Sequence, residues 1–271
     1  MKITVNGRPV EFPGVTAGDL AAFVGISAEN AVVIAQGYQC PLDAALKEGD
    51  EITLLSKGEM PPREELERML CARHTPGVYQ KVRSARVGIA GLGGLGSAIA
   101  LALARTGVGT LHLVDFDTVE PSNLNRQQYR ICHLGKAKTQ ALQEEIAEVN
   151  PTVRVVCDRA RVTSDNAARL FRDDPIVCEA FDRPEDKAML VNTLLEQCPD
   201  TVMVAASGMA GTGSANAIRT RRAGRRLYLC GDETSASQPG MGLMAPRVMV
   251  CAGHQANGIL RLILDEADES I

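Results

Sequence analysis

The stretch ARVGIAGLGGLGSAIALALARTG, residues 85–107, decides the fold of most of the chain. It begins as a short apolar strand, passes through a glycine-rich turn at residues 91–97, and continues as an Ala- and Leu-rich helix closed by Gly107. Glycines between a strand and a helix let backbone N–H groups approach a phosphate, and the helix N-terminus adds partial positive charge. The stretch therefore predicts a phosphate-binding turn within an α/β fold.

Strands and helices continue to alternate after this turn. Apolar strand candidates lie at residues 110–115, 152–157, 175–181 and 200–207, and predicted helices separate them. This alternation predicts a doubly wound, mainly parallel, Rossmann-like sheet. Towards the end, SANAIRT (214–220) and RRLYLC (225–230) predict a hairpin with exposed arginines, and residues 250–264 predict a last helix.

The first 57 residues have a different pattern. An alternating strand at residues 2–5 meets an Asn6-Gly7 pair, which is typical of a hairpin turn. A return strand, a helix over residues 17–24 and two further strands predict a small α+β domain of the β-grasp (ubiquitin-like) type. We therefore predict three segments: a β-grasp domain at 1–57, a linker and helix at 58–84, and the α/β domain at 85–271.

Composition argues against several classes of protein. The net charge of -4 over 271 residues gives no reason to expect nucleic acid or an anionic membrane as a partner. No apolar run approaches the roughly 20 residues of a membrane span, and no signal peptide is recognisable, so we expect a soluble, cytoplasmic protein. The eight cysteines include no CxxC pair, so we expect no zinc site and interpret them as structural.

Polar residues are concentrated in DFDTVEPSNLNRQ, residues 115–127. Asp115 ends the second strand, where the acid that holds ribose hydroxyls lies in dinucleotide-binding folds. Arg126 offers planar donors suited to phosphate oxygens, and Asn123 and Gln127 can hydrogen-bond phosphate or metal-bound water. The additional polar groups favour a nucleoside triphosphate, with an NAD-dependent oxidoreductase as the alternative.

Two other segments add charge to this edge of the sheet. Lys136 and Lys138 lie at a helix start, where cations oppose the helix dipole, so we expect an anion to compensate them. Lys136 is expected to face solvent. Asp182 follows the strand at 175–181, at the sheet edge where open α/β folds bind ligands; capping the helix that begins near Pro184 is its alternative role. With the glycine turn, these residues predict ATP and Mg²⁺.

The motifs GxGGLG, DxDxVxxSNLNRQ and GxxK, in this order, resemble the ubiquitin-activating (E1-like) superfamily and its bacterial ThiF and MoeB branch over about residues 63–265. The resemblance implies ATP- and Mg²⁺-dependent adenylation of the C-terminal glycine of a small β-grasp sulfur carrier. It implies that Asp115 holds the ribose, that Arg126 and Lys138 bind the triphosphate, and that Asp182 holds Mg²⁺. The other implied ATP-binding residues are Gly91, Gly93, Gly94, Gly96, Asp117, Asn123 and Gln127.

The same resemblance has consequences for the assembly. Relatives form homodimers, and in some of them the partner chain supplies an arginine, for which Arg73 is the candidate here. MoeB-like relatives carry two zinc-binding CxxC pairs, which this sequence lacks, and residues 231–246 hold no cysteine where some relatives form a persulfide or thioester. The resemblance therefore supports adenylation without zinc, and it leaves sulfur transfer by this chain unsupported.

The first domain resembles the sulfur carrier ThiS, which ends in a free Gly-Gly. Here the corresponding residues are SKGEM, 56–60, and the chain continues beyond them. The carbonyl group that would be a free carboxylate in the carrier is therefore part of a peptide bond. We therefore expect this domain to serve packing, dimerisation or docking, and a separate ThiS-type carrier to be the substrate in thiamine biosynthesis. Two alternatives stay open: activation of another acid, as in the tRNA threonylcarbamoyladenosine dehydratases, and a non-catalytic adaptor that binds nucleotide and carrier.

Overall fold

The structure is a computed structural model that describes residues 1–266, apart from the side chains of residues 63 and 64. The last five residues of the predicted third segment, 267–271, lie outside this description. The chain divides into two units, Met1–Gln80 and Lys81–Ile271.

The first unit has the β-grasp fold that its sequence predicts. Its sheet has the order β2-β1-β5-β3-β4, in which only the β1–β5 pair is parallel. A short edge strand, β4, was not predicted. The elements are β1 (Lys2–Val5), β2 (Arg8–Glu11), α1 (Ala17–Val24), β3 (Ala31–Ala35), β4 (Tyr38–Cys40) and β5 (Glu51–Ser56).

Local sequence explains the turns and the helix of this unit. Asn6 and Gly7 both have positive φ, 49° and 78°, as the predicted two-residue hairpin turn requires. Thr16 and Asp19 form a reciprocal capping box at the start of α1, and Gly25 ends the helix in the left-handed conformation. The apolar face of α1 then packs on one face of the sheet, where a single buried cluster forms the core.

Two further helices, α2 (Arg63–Leu70) and α3 (Val78–Ser84), follow β5. The segment that contains α2 folds back on the β-grasp unit. Glu65 accepts a hydrogen bond from Asn6 Nδ2 at 3.2 Å and pairs with Arg8 at 3.1 Å. Arg73 donates to Gln39 Oε1 at 2.7 Å. Residues 63–73 therefore belong to the first unit structurally.

The second unit is a seven-stranded sheet with the order β11-β12-β10-β9-β6-β7-β8. All neighbouring pairs are parallel except β11–β12, which confirms the predicted mainly parallel α/β fold. The strands are β6 (Arg86–Ala90), β7 (Thr110–Val114), β8 (Arg154–Asp158), β9 (Ile176–Glu179), β10 (Val202–Ala206), β11 (Arg219–Gly224) and β12 (Leu227–Gly231). The helices are α4 (Gly94–Thr106), α5 (Lys138–Val149), α6 (Ala167–Phe171), α7 (Pro184–Gln197) and α8 (Ala245–Ile263).

The chain order along this sheet locates the crevice. The next two strands in sequence, β7 and β8, lie on one side of β6, and β9 and β10 lie on the other side. The direction of winding therefore reverses between β6 and β9. Open α/β sheets bind ligands at the carboxyl ends of the strands beside such a reversal. Within residues 1–266, no helix is long and apolar enough to cross a membrane.

The predicted hairpin near the end of the chain is present, but its first strand was placed too early. Residues 215–217 form a 3-10 turn because the Ser214 hydroxyl accepts a hydrogen bond from the Asn216 N–H. The strand then begins at Arg219, and its arginine-rich residues are exposed as expected. One of the helices predicted to separate the strands, α6, is only 5 residues long.

A buried ionic cluster joins four parallel strands. His112, on β7, lies with Nδ1 2.5 Å from Asp174 Oδ2 and Nε2 2.9 Å from Asp158 Oδ2. Arg86 donates to the other oxygen of Asp174 at 2.6 Å. The position of the Asp174 carboxylate requires a glycine at residue 88, because a Cβ there would lie 2.7 Å from Asp174 Oδ2. Burial opposes charging of His112, but the two carboxylates prevail and raise its pKa.

We expect His112→Gln to destabilise the protein most at acidic pH. A raised folded-state pKa contributes stability that is complete below about pH 6.5, the unfolded value, and is lost as pH rises through the folded value. Removing one partner of a buried pair costs roughly 3–5 kcal/mol, so we expect a loss of about that size at pH 6 and a smaller loss at pH 9. Chemical denaturation at both pH values measures this difference.

The matched control is Phe171→Leu, because the Phe171 ring packs beside His112 at 5.5 Å and carries no titrating group. Its destabilisation should be the same at both pH values. An equal loss for His112→Gln at pH 6 and pH 9 would contradict the assignment of charge to His112.

Candidate nucleotide-binding site

The glycine-rich turn between β6 and α4 brings backbone segments unusually close together. Gly91 has a φ of +89°, and a Cβ there would lie 2.9 Å from both the Ala180 carbonyl oxygen and the Phe181 ring. A Cβ at Gly96 would lie 1.9 Å from the Gly91 carbonyl oxygen. Both glycines are therefore required by packing, and Gly96 holds α4 against the turn rather than facing the cleft.

Asp115, just after β7, fastens this turn. Its carboxylate is buried and accepts hydrogen bonds from the Leu92 N–H at 2.6 Å and from the Asp117 N–H at 2.8 Å. Each carboxylate oxygen has room for a second donor. The residue therefore both orders the glycine turn and offers acceptors to a ligand.

The SNLNRQ segment is fastened to the same turn by two contacts that the sequence did not reveal. The Tyr129 hydroxyl donates to the Leu92 carbonyl at 2.8 Å, and the Gln128 N–H donates to Ser97 Oγ at 3.1 Å. Burial, together with Asp115 and Asp117, raises the pKa of Tyr129, so its hydroxyl stays a donor. These contacts place Arg126 and Gln127 across from the glycine turn.

The basic residues differ in what holds them. Arg126 Nη1 donates to Asn125 Oδ1 at 2.8 Å and to the Ser122 carbonyl at 3.2 Å. Lys138 is buried, and its ammonium lies 3.0 Å from Asp117 Oδ2. Lys136 pairs instead with Glu144 at 2.6 Å, outside the cleft.

The glycine-rich turn, the end of the SNLNRQ segment and the start of α5 line one cleft of about 870 Å³ at the carboxyl ends of the strands. Ligand pockets in proteins commonly enclose about 300–1,000 Å³, so its size suits a nucleotide. The residues predicted for the site that line it are Gly91, Gly93, Gly94, Asp115, Asp117, Arg126, Gln127, Lys138 and Asp182. Within the lining, Gln127 is buried and its Oε1 has no hydrogen-bond partner among the described residues.

Two residues predicted for ATP binding lie outside this lining, Gly96 and Asn123. Asn123 Oδ1 accepts a hydrogen bond from the Glu120 N–H at 3.1 Å and thereby caps the 3-10 turn Pro121–Asn123. The polar pattern alone did not distinguish this capping role from ligand binding. Arg73 belongs to the first unit, and its role in a partner chain stays a prediction.

Asp182 lies exposed where β9 leads into α7. The alternative that it caps α7 is wrong, because the N-cap residue is Arg183 and no side chain caps the helix. In the described part of the chain, the Asp182 side chain has no hydrogen-bond or ion-pair partner, and no three His, Cys, Asp or Glu residues form a metal-binding group. A single unpaired carboxylate suits Mg²⁺ that arrives with phosphates.

Two buried ionic contacts beside the cleft were missed. Glu179, at the end of β9, is fully buried and bonds Lys187 at 3.0 Å, and burial raises its pKa. Arg247, near the start of α8, donates to Asp232 at 2.6 Å and to the Ala210 carbonyl. In the sequence, each contact was signalled only by one charged residue inside an apolar stretch, Glu179 in PIVCEAF and Arg247 in MAPRVMV.

Three buried cysteines, Cys178, Cys230 and Cys251, lie in the sheet and in α8 behind it. Burial raises the pKa of Cys230 to about 11 and of Cys251 to about 12. These thiols therefore stay protonated and are not nucleophiles at neutral pH. This placement supports their interpretation as structural residues.

The fold belongs to the doubly wound α/β class. More specifically, the sequence matches the ThiF family over residues 67–271 and the ThiS-like ubiquitin family over residues 1–58. Because the first match covers most of the chain, the protein belongs to the ThiF family. The predicted resemblance of the second unit to ThiF proteins and of the first unit to ThiS is thus confirmed.

Curated relatives match over part of the chain. "Adenylyltransferase and sulfurtransferase uba4" of Aspergillus clavatus is 46% identical over 114 residues, which are 42% of this chain and 23% of that protein. "Probable adenylyltransferase/sulfurtransferase MoeZ" of Mycobacterium tuberculosis is 38% identical over 104 residues, 38% of this chain and 26% of that protein. The matches thus span about a quarter of the length of these relatives.

Solved structures share the fold at lower identity. E. coli tRNA N6-threonylcarbamoyladenosine dehydratase in complex with ATP superposes with a TM-score of 0.67 and 22% identity, covering 77% of this chain and 98% of that one. E. coli MccB with ATP gives a TM-score of 0.52 and 20% identity, covering 71% and 59%. At these identities the similarity establishes the fold.

The packing at Gly96 gives a direct test of the turn. We expect Gly96→Ala to lower the free energy of unfolding by about 1–3 kcal/mol or more, because the added methyl meets backbone that cannot move aside. Thermal and urea unfolding measure the loss.

Gly253→Ala is the matched control. It lies on the exposed side of α8, and a methyl group added there would have no neighbour within 4 Å, so replacing this glycine should stabilise the helix by about 0.5–1 kcal/mol. Equal effects at the two helical glycines would refute the close approach of Gly96 to Gly91.

Proposed function

We propose that this protein is an ATP-dependent adenylyltransferase that activates the C-terminal glycine of a ThiS-type sulfur carrier, in the biosynthesis of the thiamine thiazole. The observation that carries the proposal is one cleft in which Arg126, Lys138 and Asp182 surround a glycine-rich turn. The names of the uba4 and MoeZ relatives, both adenylyltransferases, support the same activity.

The geometry supports one orientation of the nucleotide. Asp115 would accept hydrogen bonds from the ribose hydroxyls with its free lone pairs. The phosphates would then lie over Gly93 and Gly94, where the N-terminus of α4 presents backbone N–H groups. Arg126 and Lys138 would neutralise phosphate oxygens from the side of the cleft formed by the SNLNRQ segment and α5.

Mg²⁺ fits this arrangement as part of the nucleotide complex. Asp182 supplies one unpaired carboxylate at the edge of the cleft, and Mg²⁺ characteristically combines one or two carboxylates with substrate phosphates and water. When bound, the ion would neutralise charge on the phosphate oxygens. The protein's own contribution is to hold the Asp182 carboxylate towards them.

The reaction joins two anions, so positioning and charge neutralisation are its main demands. An oxygen of the carrier's terminal carboxylate forms a bond to the α-phosphorus. The bond from that phosphorus to the oxygen bridging the β-phosphate breaks, and pyrophosphate leaves with the electron pair. Arg126 and Lys138 stabilise the charge that develops on the phosphoryl oxygens. No protein nucleophile is required.

The carrier must be a separate polypeptide. The first unit has the carrier fold, but β5 ends at Ser56 and the chain continues into α2 instead of ending in a carboxylate. We further propose a homodimer, as the family resemblance implies, in which Arg73 is the candidate arginine for the partner's cleft. The first unit would then serve packing or docking rather than act as substrate.

Carrier-dependent exchange of labelled pyrophosphate into ATP tests the activity. With Mg²⁺ and a ThiS-type carrier ending in Gly-Gly, we expect exchange and a carrier mass increased by AMP. Lys138→Ala should slow exchange by about 100- to 1,000-fold, as for other groups that stabilise transition-state charge. Lys136→Ala is the matched control, because Lys136 pairs with Glu144 outside the cleft, and it should retain activity.

Two results would redirect the proposal. Nucleotide and carrier binding without any exchange would identify a non-catalytic adaptor. Exchange that depends on threonylcarbamoyl-modified tRNA, and not on a carrier, would favour the dehydratase-type activity.

A further inference from the structure

A buried carboxylate at the end of β9 has no part in the function proposed above. Glu179 is fully buried, three residues before Asp182. Its Oε1 accepts hydrogen bonds from the Phe181 N–H at 2.6 Å and from Lys187 Nζ at 3.0 Å. Its Oε2 accepts from Lys187 Nζ at 3.1 Å and from the Ala206 N–H at 3.3 Å.

Such a pair is a poor device for stability alone. Taking a carboxylate and an ammonium out of water is costly, and well-packed apolar residues often replace a buried ion pair without loss. Glu179 would therefore be better replaced by an apolar residue if it only filled the core. Its hydrogen bonds to two backbone N–H groups suggest a different reason for its presence.

The carboxylate of Glu179 connects the segments that form one end of the cleft. Phe181 belongs to the turn between β9 and α7, Lys187 belongs to α7, and Ala206 ends β10. The same turn packs against the glycine-rich turn, because Ala180 and Phe181 occupy the space that a Cβ of Gly91 would need. Glu179 thus holds the turn at 180–182 to α7 and to the end of β10.

Asp182 is the next residue in that turn, which is also anchored by the hydrogen bond from the Ala180 N–H to the Ala90 carbonyl at 2.9 Å. Its side chain is exposed and has no partner within the described residues, so its direction depends on the backbone at 180–182. Functional groups must be held within about 0.5 Å of the productive geometry, and this usually requires a supporting layer of hydrogen bonds. Here the Phe181 N–H bond to Glu179 supplies that support, one residue away.

We propose that Glu179 and Lys187 are positioning residues that hold the turn at 180–182, so that the Asp182 carboxylate faces the magnesium-bound phosphates of ATP. This inference rests on the proposed function for the identity of the ligand. It predicts that the pair controls how strongly Mg²⁺ enhances ATP binding, and that it leaves the binding of metal-free ATP almost unchanged.

Equilibrium binding of ATP to the full-length protein, in EDTA and in excess Mg²⁺, measures this enhancement without any carrier. Loss of a residue that supports a metal ligand typically costs 10- to 100-fold in metal affinity, so we expect Glu179→Gln to reduce the enhancement by about that factor. ATP affinity in EDTA should change by less than about threefold. Lys187→Met, which removes the ammonium bonded to both oxygens of Glu179, should reduce the enhancement by a similar factor.

A double-mutant cycle separates positioning from general destabilisation. If Glu179 acts through Asp182, then Glu179→Gln should cause no further loss of enhancement in an Asp182→Asn background. Asp174→Asn is the matched control, since Asp174 is a buried acid that lies just before the start of β9 and pairs with Arg86 and His112. It should lower the melting temperature and leave the enhancement intact.

The outcomes distinguish this inference from the proposed function. Additive losses in the cycle, an equal loss of metal-free ATP binding, or an absence of enhancement in the unsubstituted protein would each overturn the positioning role. If Glu179→Gln does not fold, Glu179→Asp, whose shorter side chain weakens the bond to the Phe181 N–H, should show a partial loss. Enhancement that depends on Glu179 but is not accompanied by carrier-dependent exchange would support the positioning role and reject only the adenylation.

Discussion

Close backbone packing at the carboxyl ends of β6 and β9 is the constraint on which the cleft depends. Gly96 lies against the Gly91 carbonyl, and Gly91 lies against the turn at Ala180, with no room for a side chain at either glycine. This packing brings the start of α4 and the turn that carries Asp182 to the same place. Polar groups from three separate segments can then act on one ligand, because the backbone itself forms the contact between them.

The two lysines at the cleft show how burial of the partner decides the role of a cation. Lys138 pairs with Asp117, whose side chain is 47% exposed, whereas Lys187 pairs with Glu179, which is 0% exposed. Water can solvate Asp117 when Lys138 turns to a phosphate, so exchanging partners costs little. Separating Lys187 from Glu179 would leave a charge in the interior without its counter-ion, at a cost of about 3–5 kcal/mol. Lys138 is therefore available to a nucleotide, and Lys187 belongs to the framework.

Local and periodic features of the fold were predictable from the sequence, and contacts between distant segments were not. The Asn6-Gly7 turn, the glycine-rich turn and the alternation of strands and helices each follow from residues close in the chain. Tyr129 and Glu179 gave no such signal, because their partners lie in other elements: the Leu92 carbonyl for Tyr129, and Lys187 with the Ala206 N–H for Glu179. Asn123 is a local case, in which a polar residue inside the motif caps its own turn, and its role in ATP binding stays a prediction.

The fold of the first unit does not depend on the residues that follow its last strand. Its core is a cluster of apolar residues between α1 and one face of the sheet, and the last of these in sequence is Leu54. No described residue after β5 belongs to that cluster, so the core of this unit is complete before the position at which a carrier would end. Extending the chain past Ser56 therefore leaves the fold intact and removes only the free carboxylate. In the proposed reaction that carboxylate is the nucleophile, so the first unit, with a peptide bond at this position, would not itself be a substrate.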